Sequence, residues 1–259
     1  MVKRVFSDYE QASAILIGLA TILLGTVFFT NRGDLTSAIL ALSAIGSFIA
    51  AIFILTFSKG DALDPQIASL LSVQGTVTIA TLCADLGIQG KGCVIPGVAR
   101  SGSSQLIHHI PVANYRPFTH ISDTAFLMGE GACGVTMVPA GEPLRSLLEH
   151  EYGLTIPTSE QDLFSAIKDI CSDVLEIADD VTVTKASETV VVDLYNYHLI
   201  DGCRTVRAVS PKCCTVYPCP VCSLMACILA QGLGRPVVFE NVVVNQKKGN
   251  LQLIYAFLP

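Results

Sequence analysis

Charge is what this chain has least of. Asp, Glu, Lys and Arg make up 15% of its 259 residues, and mean hydropathy is +0.56. Four of the 16 basic residues and three of the 22 acidic ones lie in the first 59, so residues 60–259 hold 12 basic against 19 acidic groups. A domain with that balance and no basic stripe is a poor nucleic-acid binder, because phosphate contacts supply most of such affinity. The sequence also lacks the G-x-S-x-G elbow of α/β-hydrolases and the H-E-x-x-H of zinc proteases. Ser101-Gly102-Ser103-Ser104 offers loop N–H groups to an anion but lacks the Gly-Lys-Ser/Thr of a P-loop.

The scarcity of charge is concentrated. Twenty-one uncharged residues separate Glu10 from Arg32, and 24 separate Asp34 from Lys59. About 20 helical residues cross a bilayer core, so both runs fit membrane spans, at 11–30 and 36–57, with Asn31-Arg32-Gly33-Asp34 as the turn. The first run follows Lys3 and Arg4 as a signal peptide would. It is longer than an h-region and no A-x-A site follows it, so it reads as a retained span. Lys3, Arg4 and Lys59 flank the pair on one side, against Arg32 alone in the turn. Positive-inside counting therefore places both termini in the cytoplasm. Ten cysteines agree, since an adjacent pair in a domain this large suggests reduced thiols or ligands rather than a disulfide framework. Small residues recur at four-residue spacing, as Ala14/Gly18, Ser43/Ser47/Ala51 and Gly46/Ala50. Such stripes let helices approach closely, and predict an intramolecular helical hairpin.

Residues 60–259 read as one α+β domain. Asp64-Pro65 is an N-cap with a first-turn proline, opening a helix over 66–86 that Gly87 ends. Apolar runs at 93–96, 105–110, 124–128 and 135–138, punctuated by Gly, Pro, Ser and Asn, predict strands. A short helix is expected over 142–152. Thr158-Ser-Glu-Gln161 resembles a capping box for a helix reaching about Ala178, with Leu163, Ile167, Ile170, Val174 and Ile177 on one face. Strands follow at 181–185 and 189–196, then a cysteine-rich loop. Pro220–Leu233 reads as a helix with Gly232 and Gly234 at its end, and 235–245 with 250–258 as a hairpin. Leu251, Leu253, Tyr255 and Phe257 alternate and should share the buried face; Leu224, Ile228 and Leu229 should meet the sheet. This order predicts a mainly antiparallel sheet.

Six cysteines form the most distinctive cluster: Cys203, Cys213, Cys214, Cys219, Cys222 and Cys227. Cys214-x4-Cys219-x2-Cys222 matches the first three ligands of a plant-type ferredoxin. Cys219-Pro-Val-Cys222 is also a C-x-x-C at an expected helix start, where the dipole and free N–H groups lower a thiol pKa. Zinc, an iron–sulfur cluster and a cycling dithiol all fit that pattern. So does plain packing, because cysteine buries readily as a small hydrophobe. Cys222 and Cys227, five apart on a helix, cannot easily face one metal. His108-His109 should alternate faces on a strand, with at most one inward and a solvated edge expected. Asp179-Asp180 reads as a solvated turn after a helix.

Two N-terminal spans are followed by Val94-Ile95-Pro96-Gly97, Phe126-Leu127-Met128 and Val138-Pro139-Ala140-Gly141-Glu142-Pro143-Leu144. Pro220-Val221-Cys222-Ser223-Leu224 and Gly232-Leu233-Gly234-Arg235-Pro236-Val237 complete the series. The chain resembles, over nearly its whole length, an uncharacterised archaeal family of two-span membrane proteins of haloarchaeal type. That resemblance implies no activity, and this chain departs from the family's pattern at the cysteines around Pro220-Val221. The C-terminal helix and hairpin are similar to the V4R (4-vinyl reductase) and TRAPP-like fold, which implies small-molecule sensing or assembly. The expectation is thus a non-enzymatic, multi-pass membrane protein whose cytosolic domain binds a ligand, a protein partner or a second copy. The competing expectation is a membrane-tethered metal or dithiol redox protein built on the Cys203–Cys227 region.

Overall fold

The computed structural model describes residues 8–30, 35–57, 63–100, 103–118, 125–127, 133–245 and 248–258. The chain divides into two compact units, Met1–Leu63 and Asp64–Pro259. Two N-terminal apolar helices precede a mixed α/β domain built on an eight-stranded antiparallel sheet.

In the first unit, helices α1 (Asp8–Thr30) and α2 (Leu35–Phe57) pack against each other. Their stretches 12–29 and 35–56 are long and apolar enough to cross a membrane. The small-residue seam differs from the expected one. Ser13 and Ala20 of α1 and Ala44 and Ala51 of α2 are buried, while Ala14, Ser43, Gly46 and Ala50 are exposed. The buried positions recur every seven residues. A seven-residue repeat keeps one face toward a partner along two near-parallel helix axes, whereas a four-residue stripe drifts around the helix. Bulky Ile15, Ile22, Leu42 and Phe53 cover the outer surface.

The second unit opens with α3 (Pro65–Leu71) and α4 (Val73–Asp85). Asp64 caps α3 by accepting from the Gln66 N–H at 2.8 Å. The single expected helix is broken at Ser72, which ends α3 and caps α4 without a side-chain hydrogen bond. Gly87 follows with φ +73°. By length and composition 65–85 is a further candidate span, yet Ser69, Thr76, Ala80 and Cys83 are buried within the domain.

Strands β1 (Cys93–Arg100), β2 (Ser103–Pro111), β3 (Phe126–Leu127) and β4 (Gly134–Met137) form one half of the sheet. β5 (Asp180–Ala186), β6 (Thr189–Tyr195), β7 (Val237–Asn245) and β8 (Asn250–Phe257) form the other. The order is β3-β4-β2-β1-β7-β8-β6-β5, and every neighbouring pair is antiparallel. The final hairpin turns at Gly249, with φ +67°, a value that glycine tolerates without strain. Leu251, Leu253, Tyr255 and Phe257 lie buried on one face, and their alternates are half-buried. Ser101 and Gly102 of the Ser101–Ser104 motif, and the end residues 124 and 128 of the expected 124–128 strand, lie outside the described residues, while Ser103 and Ser104 open β2.

Helix α5 (Glu142–Glu151) forms as expected. Helix α6 (Glu160–Asp169) is capped one residue later than the capping-box reading, by Ser159: its Oγ accepts from the Asp162 N–H at 3.3 Å and donates to the Asp162 carboxylate at 2.6 Å. A π-turn over Ile170–Val174 then inserts a residue into the helical repeat. That rotates Val174 out to 38% exposure and brings Cys171 into the core in its place. Glu176, at φ +48°, ends the segment.

The expected cysteine-rich loop is helical. It holds α7 (Ile200–Val209) and the short α8 (Cys213–Val216). Helix α9 (Pro220–Leu233) starts on Pro220 and stops at Gly234, φ +62°. It packs against β1 and β7 and against α5 and α6. Leu224, Ile228 and Leu229 are buried, as the sequence predicts, but so are nearly all their neighbours on the helix. The long apolar stretch 213–233 therefore sits in the domain core, where an all-round apolar helix also belongs.

His108 and His109 correct the expectation of a solvated edge, since both are essentially fully buried. β2 is an interior strand between β4 and β1. On one face His108 meets Tyr217 and Phe239 edge-on or tilted; on the other His109 meets Tyr115 and Phe118. The segment around 115–118 packs over the second face of the sheet; the mostly apolar alternates Ile254, Ala256 and Leu258 predict that this face is covered, but not by which segment.

Candidate functional site: a thiol-lined apolar cavity

Three elements converge beside the start of α9. Gly202 of α7 sits so close to α3 that a Cβ there would come within 2.2 Å of the Ser69 carbonyl oxygen. That close crossing brings α7 against α3 and leaves a cavity of about 200 Å³ bounded by α3, the start of α4, α7, α8 and residues 219–222. Its wall includes Leu71, Val73, Leu199, Val206, Val221 and Val242, with Tyr197 and four thiols: Cys203, Cys214, Cys219 and Cys222.

Cys219 is the N-cap of α9, in extended backbone geometry with Pro220 at the first helical position. Its carbonyl accepts the Ser223 N–H at 2.9 Å. The two sulfurs of Cys219 and Cys222 are 3.5 Å apart, a thiol–thiol hydrogen bond. Tyr255 reaches up from β8 and donates its hydroxyl to the Cys222 carbonyl at 2.8 Å, fixing the first turn of α9 against the sheet. Cys219 is half-buried and Cys222 is 2% exposed.

The two thiols are driven in opposite directions. The hydrogen bond between the two sulfurs, aided by N–H groups of the helix start, lowers the Cys219 pKa to about 7 against the cost of burial. The same hydrogen bond, burial and the neighbouring thiols push Cys222 well up. Burial also raises Cys203, and raises Cys214 to about 12. An asymmetric pair at a helix N-terminus, one sulfur ionised near neutrality and one held protonated, is a nucleophile with a second thiol in reach.

The structure separates the other two candidate ligands. Cys213 faces a different, wider cleft with Ala80, Thr81 and Lys212. Cys227 is fully buried in the core, where burial raises its pKa to about 12. All ten cysteines are free thiols. Among the described residues, no group of three or more His, Cys, Asp or Glu side chains is arranged to hold a metal ion.

Other features offer less chemistry. A cleft of about 600 Å³ beside Gln105 and Gln231 contains Arg145, but Arg145 is already neutralised by Glu142 and Glu149 on its own helix. His198 bonds to the Glu176 carbonyl at 2.8 Å and to Asp179 at 3.1 Å. Asp180 pairs with Lys168 at 3.0 Å. Gly129-x-Gly131-x-x-Gly134 has the spacing of a dinucleotide-binding fingerprint, but Gly134 opens strand β4 rather than a helix. Tyr197, Tyr255 and Gly202 are the site residues that sequence alone leaves unmarked. Only the alternation of β8, which aims Tyr255 inward, hints at any of them.

Two apolar helices and an antiparallel α/β domain with a thiol-lined cavity thus define a protein with candidate membrane spans and a globular domain of its own. Residues 4–257 match the model of a family described as a domain of unknown function, DUF7982, and the chain belongs to that family. No curated protein and no solved structure matches it.

Proposed function

We propose that this is a non-enzymatic membrane protein, anchored by α1 and α2, whose C-terminal domain lies in the cytoplasm and binds a small apolar molecule in the cavity beside α9. The cavity carries this reading. At about 200 Å³ and with a mostly apolar wall, it exceeds the roughly 150 Å³ that suffices to hold benzene in a dry protein cavity. The order of helix 220–233 and hairpin 237–257 is that of the V4R/TRAPP-like resemblance.

Binding is tested on the full chain in lipid nanodiscs, with single- and double-ring aromatic compounds as probes and empty nanodiscs as reference. Wild type is expected to show a saturable rise in unfolding temperature, since a ligand bound only to the folded state stabilises it. Ala68 lies on the cavity wall, and Ala68→Leu should fill the space and weaken binding at least tenfold. An unsaturable response, or equal binding by A68L, would overturn the reading.

Orientation follows from Lys3, Arg4 and Lys59 on one side of the spans. Cys133 is an exposed thiol. A membrane-impermeant maleimide should leave it unlabelled in intact cells and label it after lysis. Labelling of intact cells would reverse the orientation.

A further inference from the structure

We infer that Cys219 and Cys222 form a redox-active dithiol that exchanges with low-molecular-weight disulfides, Cys219 attacking and Cys222 resolving. The inference does not rest on ligand binding and stands on four features of the site. The sulfurs are 3.5 Å apart, and a disulfide is about 2.0 Å long, so bonding asks them to close by about 1.5 Å. Cys219, a half-buried residue, caps a 14-residue helix, and buried Cys222 lies in the first turn of that helix. Both line the same apolar cavity. Tyr255 holds the Cys222 backbone in place.

The depressed pKa of Cys219 and the raised one of Cys222 give each thiol its role. A thiol whose pKa is near ambient pH combines thiolate fraction with nucleophilicity. The Cys219 thiolate attacks one sulfur of R–S–S–R, forming Cys219–S–S–R and expelling RS⁻. Cys222 then gives its proton to the medium, and its thiolate attacks Cys219 Sγ. The protein disulfide forms and a second RS⁻ leaves. Two thiols are oxidised, one small disulfide is reduced to two thiols, and the two protons end on those products. Cys203 and Cys214 line the same cavity but are buried thiols without a hydrogen-bonded sulfur partner of their own, and they stay reduced.

The full chain, reduced and held in detergent micelles, is equilibrated with mixtures of glutathione and glutathione disulfide. It is then acid-quenched, alkylated and peptide-mapped by mass. The first product should be a Cys219–Cys222 disulfide, with the remaining cysteines alkylated as thiols. Cys222→Ser should instead accumulate glutathione on Cys219, at least tenfold above background, and Cys219→Ser should form neither product. On unmodified wild type, which needs no variant to fold, iodoacetamide should alkylate Cys219 with a half-maximal rate near pH 7, and at that pH at least tenfold faster than exposed Cys133. First oxidation at another pair, or Cys219 reacting no faster than Cys133, would overturn the assignment.

Discussion

Gly141→Ala should lower the unfolding temperature by roughly 6–12 °C, for a loss of about 3 kcal/mol in a domain of this size. Gly141 caps α5 with φ −82°, so its backbone conformation does not require glycine. The constraint is steric. A Cβ there would lie 2.2 Å from the Leu224 nitrogen, 2.5 Å from its Cα and 2.6 Å from the Ser223 carbonyl carbon. All three atoms are backbone of α9, so no side chain can rotate away, and α5 and α9 must part by about 1 Å. Close-packed interiors transmit such a shift rather than absorb it. α9 is the most buried helix of the domain, and its first turn carries Cys219 and Cys222, so the thiol pair should be disturbed as well. Gly75→Ala supplies the contrast. Gly75 is exposed on α4 with nothing within 4 Å of the added carbon, and the exchange should stabilise the chain by up to about 1 kcal/mol through helix propensity. Thermal unfolding of the two variants in the same micelles checks both signs. Equal unfolding temperatures would show that the α5–α9 approach is looser than described.

Elements marked by local chemistry are legible in the sequence. Pro220 and Gly234 bracket α9 because proline suits a helix start and glycine a left-handed stop. The last hairpin was readable from the alternation of Leu251, Leu253, Tyr255 and Phe257 around Gly249. The two apolar runs declared themselves by what they lack. Features set by neighbours distant in sequence were hidden. The π-turn at Ile170–Val174 leaves no local signature, so the helical repeat alone puts Val174 on the buried face. α7 and α8 were masked by cysteines that resemble loop ligands. The buried state of His109 depends on residues 115–118 returning over the sheet, and that of His108 on Tyr217 and Val216 covering the other face. The cysteine cluster was legible as a list but not as a geometry. Cys213 and Cys214 are adjacent in sequence yet face different cavities, and Cys227 sits five positions along α9 from Cys222, inside the core. Only Cys219 and Cys222, three residues apart on one helical turn, are held sulfur to sulfur.

Those two histidines make the domain's stability depend on acidity. Burial lowers both pKa values to about 4. The Val216 carbonyl, 3.0 Å from His108 Nε2, opposes the shift at one ring, and the nearby Val135 carbonyl opposes it at the other. Among the described residues, His108 Nδ1 has no hydrogen-bond partner, and no carboxylate acts on either ring to receive its charge. In the unfolded chain each ring titrates near 6.5. Between about pH 6.5 and 4 the unfolded state therefore binds more protons than the folded one, and stability rises with pH across that window. The contribution is complete above pH 6.5 and is lost as pH falls toward 4. At pH 5 the linkage relation gives a loss of about 2 kcal/mol per ring relative to pH 8, or roughly 4 kcal/mol for the pair. Urea unfolding of the full chain in micelles, followed by near-ultraviolet tyrosine dichroism from pH 8 to pH 5, should show that decline, before most carboxylates titrate. His109→Phe, whose ring suits the cluster of Tyr115 and Phe118, should remove about half of the pH dependence while keeping the fold. A flat profile in wild type, or an unchanged slope in H109F, would mean that these rings gain a proton without leaving their buried sites.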